Sequence, residues 1–167
     1  MTDETSFYFD GPASANEIQT LEISHPSFSK VWRVQGKYRS GLWARDEANA
    51  LQWFDYVPLA LRPLEDRGNL DFGLTVTFGD LGEILPDEIE RARAAGTMHI
   101  KPTVIYRAYR SDDLAGPMVG PITLEARKLN RQQDGAQFDA TAPELNVSKT
   151  GELYTLDRFP GLRIALS

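Results

Sequence analysis

The sequence predicts a mainly β protein, an antiparallel β-sandwich or barrel with one short α-helix at about residues 84–95. Three observations lead there. Several segments place apolar side chains at every second position, the repeat of a strand with one buried face. Turn-forming Gly, Pro and Asp clusters separate those segments at short intervals. One stretch, Leu81 to Gly96, breaks the twofold repeat and spaces its apolar residues as a helix does.

Taken in order, TLEIS (Thr20–Ser24) and KVWRV (Lys30–Val34) read as two short strands parted by a turn at His25-Pro26-Ser27. In Leu51–Arg62, Leu51, Trp53, Val57, Leu59 and Leu61 fall on one face, opposite Gln52, Phe54, Tyr56 and Arg62. Its aromatic content favours a strand, and Pro58 implies an edge position or a bulge. Leu70–Phe78 gives the clearest alternation, with Leu70, Phe72, Leu74, Val76 and Phe78 on one side and Asp71, Gly73, Thr75 and Thr77 on the other.

The helix follows. Leu85, Ile89 and Ala92 keep helical spacing, and Pro86 suits a first helical position. Asp87 and Glu88 lie at the positive end of the dipole, Arg91 and Arg93 toward the negative end, and Gly96 stops the helix. The narrow apolar stripe places it over the sheet rather than within the core. Pro102–Arg110 and Pro121–Leu129 then form a hairpin with a long tip, SDDLAGPMVG. Ile122, Leu124 and Ala126 share one side of its second strand, and Asp134-Gly135 turns the chain into a third, QFDAT. About seven strands result. The domain reading is an N-terminal arm at 1–16, a β-sandwich domain at 17–150 and a C-terminal docking segment at 151–167.

Chemistry is sparse. The 167-residue chain is 41% hydrophobic, has a formal charge of −6 and contains no cysteine. Thiolate metal sites, disulfides and cysteine nucleophiles are excluded, and the acidic balance argues against specific nucleic-acid binding. There is no apolar run of membrane-spanning length, no Gly-x-Ser-x-Gly elbow and no phosphate-binding glycine loop. His25 and His99 are isolated. Asp87-Glu88 reads as helix charge, and Asp112-Asp113 reads as a solvated loop tip lacking the repeated ligands of a calcium loop. The basic and aromatic residues of Lys30–Arg45 (Lys30, Trp32, Arg33, Lys37, Tyr38, Arg39, Trp43, Arg45) interleave as single-strand binders do. A hairpin with a polar face and buried tryptophans is the simpler reading. No catalytic residue, cofactor, metal or small-molecule substrate is assigned, and the chain reads as a non-enzyme.

The end of the chain is more informative. Pro160-Gly161 makes a turn, and Phe159, Leu162, Ile164 and Leu166 around it are too apolar for a frayed tail. The expected interface residues are Leu153, Tyr154, Phe159, Pro160 and Leu162.

Four stretches then carry a resemblance: LEISHPSF, LTVTFGDLGEILPDEIERA, PTVIYRAYRSDD followed by GPITLEARKL, and LYTLDRFPGL. Their order, from Leu21 to Leu162, resembles a family of siphophage minor tail proteins of formally unknown function, encoded next to the tape-measure gene and similar in place to lambda-type short distal tail proteins. The resemblance implies a structural subunit of the tail tip or baseplate, a β-sandwich or barrel in a ring joining tail tube to hub. Its partners would be copies of itself and the tube, hub and tape-measure proteins, without a membrane. It would be made in the host bacterial cytoplasm and reside in the virion. Two alternatives stand beside it: an assembly factor absent from the mature virion, and a carbohydrate-binding β-domain using Trp43, Trp53, Asp112 and Asp113.

Overall fold

The computed structural model describes residues 15–64, 73–79, 84–132 and 135–143. The chain runs β1 (Glu17–Ser24), β2 (Trp32–Gln35), β3 (Leu42–Arg45), β4 (Leu51–Tyr56), β5 (Leu59–Pro63), β6 (Gly73–Gly79), α1 (Ile84–Ala94), β7 (Thr103–Arg110), β8 (Val119–Gln132) and β9 (Gly135–Thr141). The mainly β reading with one short helix is what the structure shows. The nine strands form one sheet, in the order β3-β4-β2-β1-β7-β8-β9-β6-β5.

Every strand pairing but one is antiparallel. β4 runs parallel to β2, with Val34 opposite Asp55 and Gln35 opposite Tyr56. β4 thus lies between β2 and β3, so Lys30–Arg45 is not the hairpin that its sequence suggests. The sheet is not closed into a barrel, but it curls far in that direction. β4 and β5 sit toward opposite ends of the order, yet only Val57 and Pro58 separate them in the chain. Val57 donates its N–H to Gln35 O (3.0 Å), and Pro58 O accepts from Gly79 N–H (2.9 Å). This joint therefore ties the β2 side of the sheet to the β6 side. The break expected at Pro58 is the place where one strand leaves one pairing and enters another.

Inside the curl lies the main core, with Leu21, Val76, Phe78, Val104 and Leu124 fully buried. The expected inner faces of β6 and β8 hold: Leu74, Val76 and Phe78 are buried, and Ile122, Leu124 and Ala126 all pack on this core. The start of the Leu70–Phe78 alternation lies outside the described residues. A correction falls on β4. Leu51 and Trp53 point outward, and Phe54 is the buried residue. The twofold alternation itself is kept: Phe54 is buried because its side of the sheet meets a second core, opposite the one that the residues beyond the Val57–Pro58 joint enter. Leu59 and Leu61, beyond it, do face the core.

A second, smaller core lies on the other side of β1 and β7. Ile18 and Tyr109 meet Ala44 and Phe54 of the β3–β4 hairpin, with the Phe54 and Tyr109 rings edge to face at 6.0 Å. The central strands are therefore covered on both faces, as in a sandwich.

α1 is held by its far end and by the β1–β2 loop. Thr97 N–H bonds Ala92 O and Gly96 N–H bonds Arg93 O, each at 3.0 Å, with Gly96 at φ 69°. That is a Schellman stop. The loop supplies three clamps. His25 Nε2 contacts Ile100 O (3.2 Å), Ser27 Oγ meets Thr97 Oγ1 (2.7 Å), and Ser29 donates its N–H to Glu88 Oε2 (2.9 Å) and its hydroxyl to Glu88 Oε1. Glu88, which the sequence offers as helix N-terminal charge, is 4% exposed and anchors the helix to this loop.

Candidate functional site

The β3–β4 hairpin carries the most distinctive surface of the described residues. Its turn is pinned by Asp46, whose Oδ1 accepts from Ala48 N–H (3.0 Å) and Ala50 N–H (2.8 Å) and whose Oδ2 accepts from Gln52 Nε2 (3.0 Å). Burial opposes the charge on Asp46, but these bonds outweigh it and hold the carboxyl below its usual range. Asn49 takes the left-handed conformation (φ 62°) that asparagine tolerates in such turns.

With the turn fixed, alternation sorts the two strands. Ala44 and Phe54 go inward, and Trp43, Leu51 and Trp53 go outward. Trp43 and Trp53 are directly opposite in the register, with ring centroids 5.1 Å apart and planes tilted by 56°. Trp43 is 55% exposed and Trp53 37%. The Trp53 indole is held in place: its Nε1 donates to Asp55 Oδ1 (2.7 Å), and its ring lies on Gly41. A Cβ on Gly41 would sit 2.0 Å from that ring, and φ at Gly41 is 80°, so glycine is required there twice over. Lys30 pairs with Asp55 at 3.5 Å and lies 4.3 Å from the Trp32 ring centroid. Lys30, Val31, Arg33, Trp43, Trp53 and Asp55 line one shallow hollow on the surface. A rigid pair of wet tryptophans framed by charge is suited to stacking or to anchoring a partner.

The hairpin is positioned from behind by Arg107, a buried cation in the centre of β7. Its guanidinium bonds both Glu47 oxygens (Nε 2.8 Å, Nη2 3.0 Å) and Glu22 Oε2 (Nη1 3.1 Å), and Arg33 Nε shares Glu22 (3.2 Å). Glu47 sits at the hairpin turn, so this fork ties the turn to the sheet. The bond from Arg107 outweighs burial and holds the Glu47 carboxyl below its usual range. Next to it, burial pushes the Tyr109 phenol up to about 12, with Arg107 pulling the other way. The Tyr109 hydroxyl has no hydrogen-bond partner among the described residues.

The other sequence candidates separate. Asp112 is engaged by Arg110 through two bonds (3.0 and 2.8 Å), which hold its carboxyl below the usual range, and Asp113 accepts from Ala115 N–H (3.0 Å). Their loop abuts the hairpin, since Arg45 N–H bonds Leu114 O (2.9 Å). The two tryptophans, however, face away from the Leu114 side. No group of three or more acidic or histidine side chains gathers in a metal-binding arrangement among the described residues. His25 is occupied on both nitrogens, Nδ1 accepting from Ser27 N–H (3.2 Å) and Nε2 therefore donating to Ile100 O. Trp43 and Trp53 are exposed, against the expectation of burial. The expected interface residues Leu153, Tyr154, Phe159, Pro160 and Leu162 lie outside the described residues, as does most of the 1–16 arm.

These features define a class: a curled, open β-sheet with one clamped helix and a paired-tryptophan surface at one end. The chain belongs to the family described as a domain of unknown function, DUF1833, which it matches over residues 9–150. Comparison with curated proteins finds no match.

Proposed function

We propose that the protein is a structural subunit of a siphophage tail tip, acting through contacts rather than catalysis, in the ring that joins tail tube to hub. The observation that carries a contact role is the Trp43–Trp53 surface, a braced aromatic pair with Leu51 and Val31 beside it, all exposed. Anchors of this kind dominate the energy of protein interfaces. The place in the tail rests on the ordered resemblance of the four stretches, and the match to DUF1833 over residues 9–150 is compatible with it. Ring subunits meet their neighbours heterologously, and closure of the rotation keeps the assembly finite.

Imaging purified tails by cryo-electron microscopy tests the reading, together with mass spectrometry of virions and lysates. Density for this chain at the tail tip is expected. Presence in lysates with absence from virions would replace it with the assembly-factor reading. The same tryptophan pair favours a second reading, carbohydrate binding by stacking. A glycan array on which the chain shows signal that Trp43→Ala abolishes would support that one instead.

A further inference from the structure

We infer that the apolar groove between α1 and the far half of β8 is the seat of this chain's own C-terminal segment, with Phe159 and Leu162 entering it. The groove holds about 420 Å³. Ile23 and Phe138 form its floor, Ile89 and Ala92 of α1 one wall, and Met98 and Ile100 its lip. Ile23 and Phe138 also belong to the main core, so the opening leaves core side chains in reach of water. Met98 is 56% and Ile100 37% exposed at the lip.

The gap follows from strand lengths. β7 begins at Thr103, opposite Glu125, and β8 continues past that point to Gln132. Past it, Pro102 O accepts from Ala126 N–H (2.9 Å).

Three observations select the occupant. β9 ends at Thr141, also opposite Glu125, and the Glu125 carboxylate is bonded by Lys101 (2.9 Å), a residue of the groove lining. The following Ala142 still packs on the main core. The chain before β1 comes in at the other end: Glu17 pairs with Arg110, whereas Ser24, beside the groove, pairs with Thr103. Seven strand residues separate those levels, about 23 Å. Next, the residues after Pro143 include Leu153, Tyr154, Leu156, Phe159, Leu162 and Ile164, which match an apolar groove. Ten residues from Pro143 to Leu153 reach up to about 33 Å, ample to arrive there. Last, the Pro160-Gly161 turn lets Phe159 and Leu162 present together. The inference concerns the isolated chain, so its outcome is independent of where the protein resides.

The absence of cysteine makes the test direct. Spin labels on Met98→Cys with Leu162→Cys, and separately on Ile100→Cys with Ile164→Cys, are measured by pulsed dipolar spectroscopy in the full chain. The expected result is a short, narrow distance in both pairs that persists when labelled protein is diluted into excess unlabelled chain. A long or broad distribution would overturn the proposal. A short distance that vanishes on dilution would also overturn it, since the groove would then hold a second copy. Thiol labelling of Met98→Cys should accelerate several-fold when Phe159→Ser and Leu162→Ser are added, with circular dichroism confirming the fold. An unchanged rate in the folded variant counts against the proposal.

Discussion

On its inner face β7 sets Val104, Tyr106 and Ala108 into the main core, whereas on its outer face Arg107 and Tyr109 meet Glu22, Glu47 and the β3–β4 hairpin. Both faces are buried, but they do different work. The inner face stabilises by removing apolar area from water, which is non-directional and insensitive to pH. The outer face uses a forked, charge-assisted contact that fixes where the hairpin sits. That contact ties the turn of the hairpin that carries Trp43 and Trp53 to the sheet, so the outer face of β7 helps to place the exposed surface. Stability and surface geometry are thus carried by opposite sides of one strand.

The largest effect is expected on the inner side. Phe78, fully buried and 5.6 Å from the Phe138 ring, should lose about 3–5 kcal/mol of stability on Phe78→Ala. Chemical denaturation would measure it, and a loss under about 1 kcal/mol would mean the curl does not enclose a tightly packed core. Arg107→Met should cost less, about 1–2 kcal/mol, because Glu22 keeps Arg33 and the Glu47 side chain is 44% exposed. It should nonetheless change tryptophan fluorescence, which Phe78→Ala in a still-folded chain should leave closer to that of the parent.

The same pair differs in acid. The Arg107 bond lowers the folded pKa of Glu47 below the unfolded value near 4.5. Its contribution is then full above that value and is lost as pH falls through the folded pKa. Glu88 behaves alike: burial opposes its charge, but the Ser29 bonds prevail and keep its carboxyl low. Stability of the parent should therefore fall below about pH 4.5. Arg107→Met should show a shallower acid limb, and Phe78→Ala an unchanged one. Identical limbs in parent and Arg107→Met would remove the outer-face account.

The inner faces of β6 and β8, which share a core with β7, were legible in the sequence, and the outer face of β7 was not. Alternation in Leu74, Val76 and Phe78, or in Ile122, Leu124 and Ala126, is a local pattern that a curled sheet preserves. Arg107 sits in an apolar strand with nothing nearby in the chain to pair it. Its partners lie 60 and 85 positions away. The Ser29–Glu88 clamp spans 59 positions and was hidden for the same reason. At β4 the alternation holds but the buried side differs, because Phe54 meets a second core across the sheet while Leu51 and Trp53, on the main-core side, are exposed. No local signal marks that second core, since Ile18, Tyr109 and Ala44, which cover Phe54, come from distant parts of the chain.

A smaller effect is expected at Tyr109. Its buried hydroxyl lacks a partner among the described residues, so Tyr109→Phe removes an unsatisfied group while keeping the ring on Phe54. Stability should stay level or rise by up to about 1 kcal/mol. In the parent, this phenol should titrate near its raised value of about 12 when followed by ultraviolet absorbance. A clear destabilisation by Tyr109→Phe would show that the hydroxyl is bonded after all, and the outer face would gain a second polar anchor.

The smallest effect on stability belongs to the surface that the outer face positions. Trp43 is 55% exposed and touches the fold mainly through Trp53, so Trp43→Ala should shift the unfolding free energy by no more than about 0.5 kcal/mol. Its effect on partner contact should be far larger, because truncating a central aromatic anchor commonly costs about 2 kcal/mol or more of binding. Gly41→Ala tests the pair without removing an indole. The added methyl must displace the Trp53 ring at a backbone angle that favours glycine, so it should weaken contact by disturbing the pair while keeping the Trp43 side chain, at a larger cost in stability than Trp43→Ala. If tails incorporate both variants at the level of the parent, the tryptophan pair is not the anchor, and the Arg107–Glu47 fork serves only to brace the hairpin. If Trp43→Ala is excluded from the proposed tail while its unfolding curve matches the parent's, the tryptophan pair is the anchor.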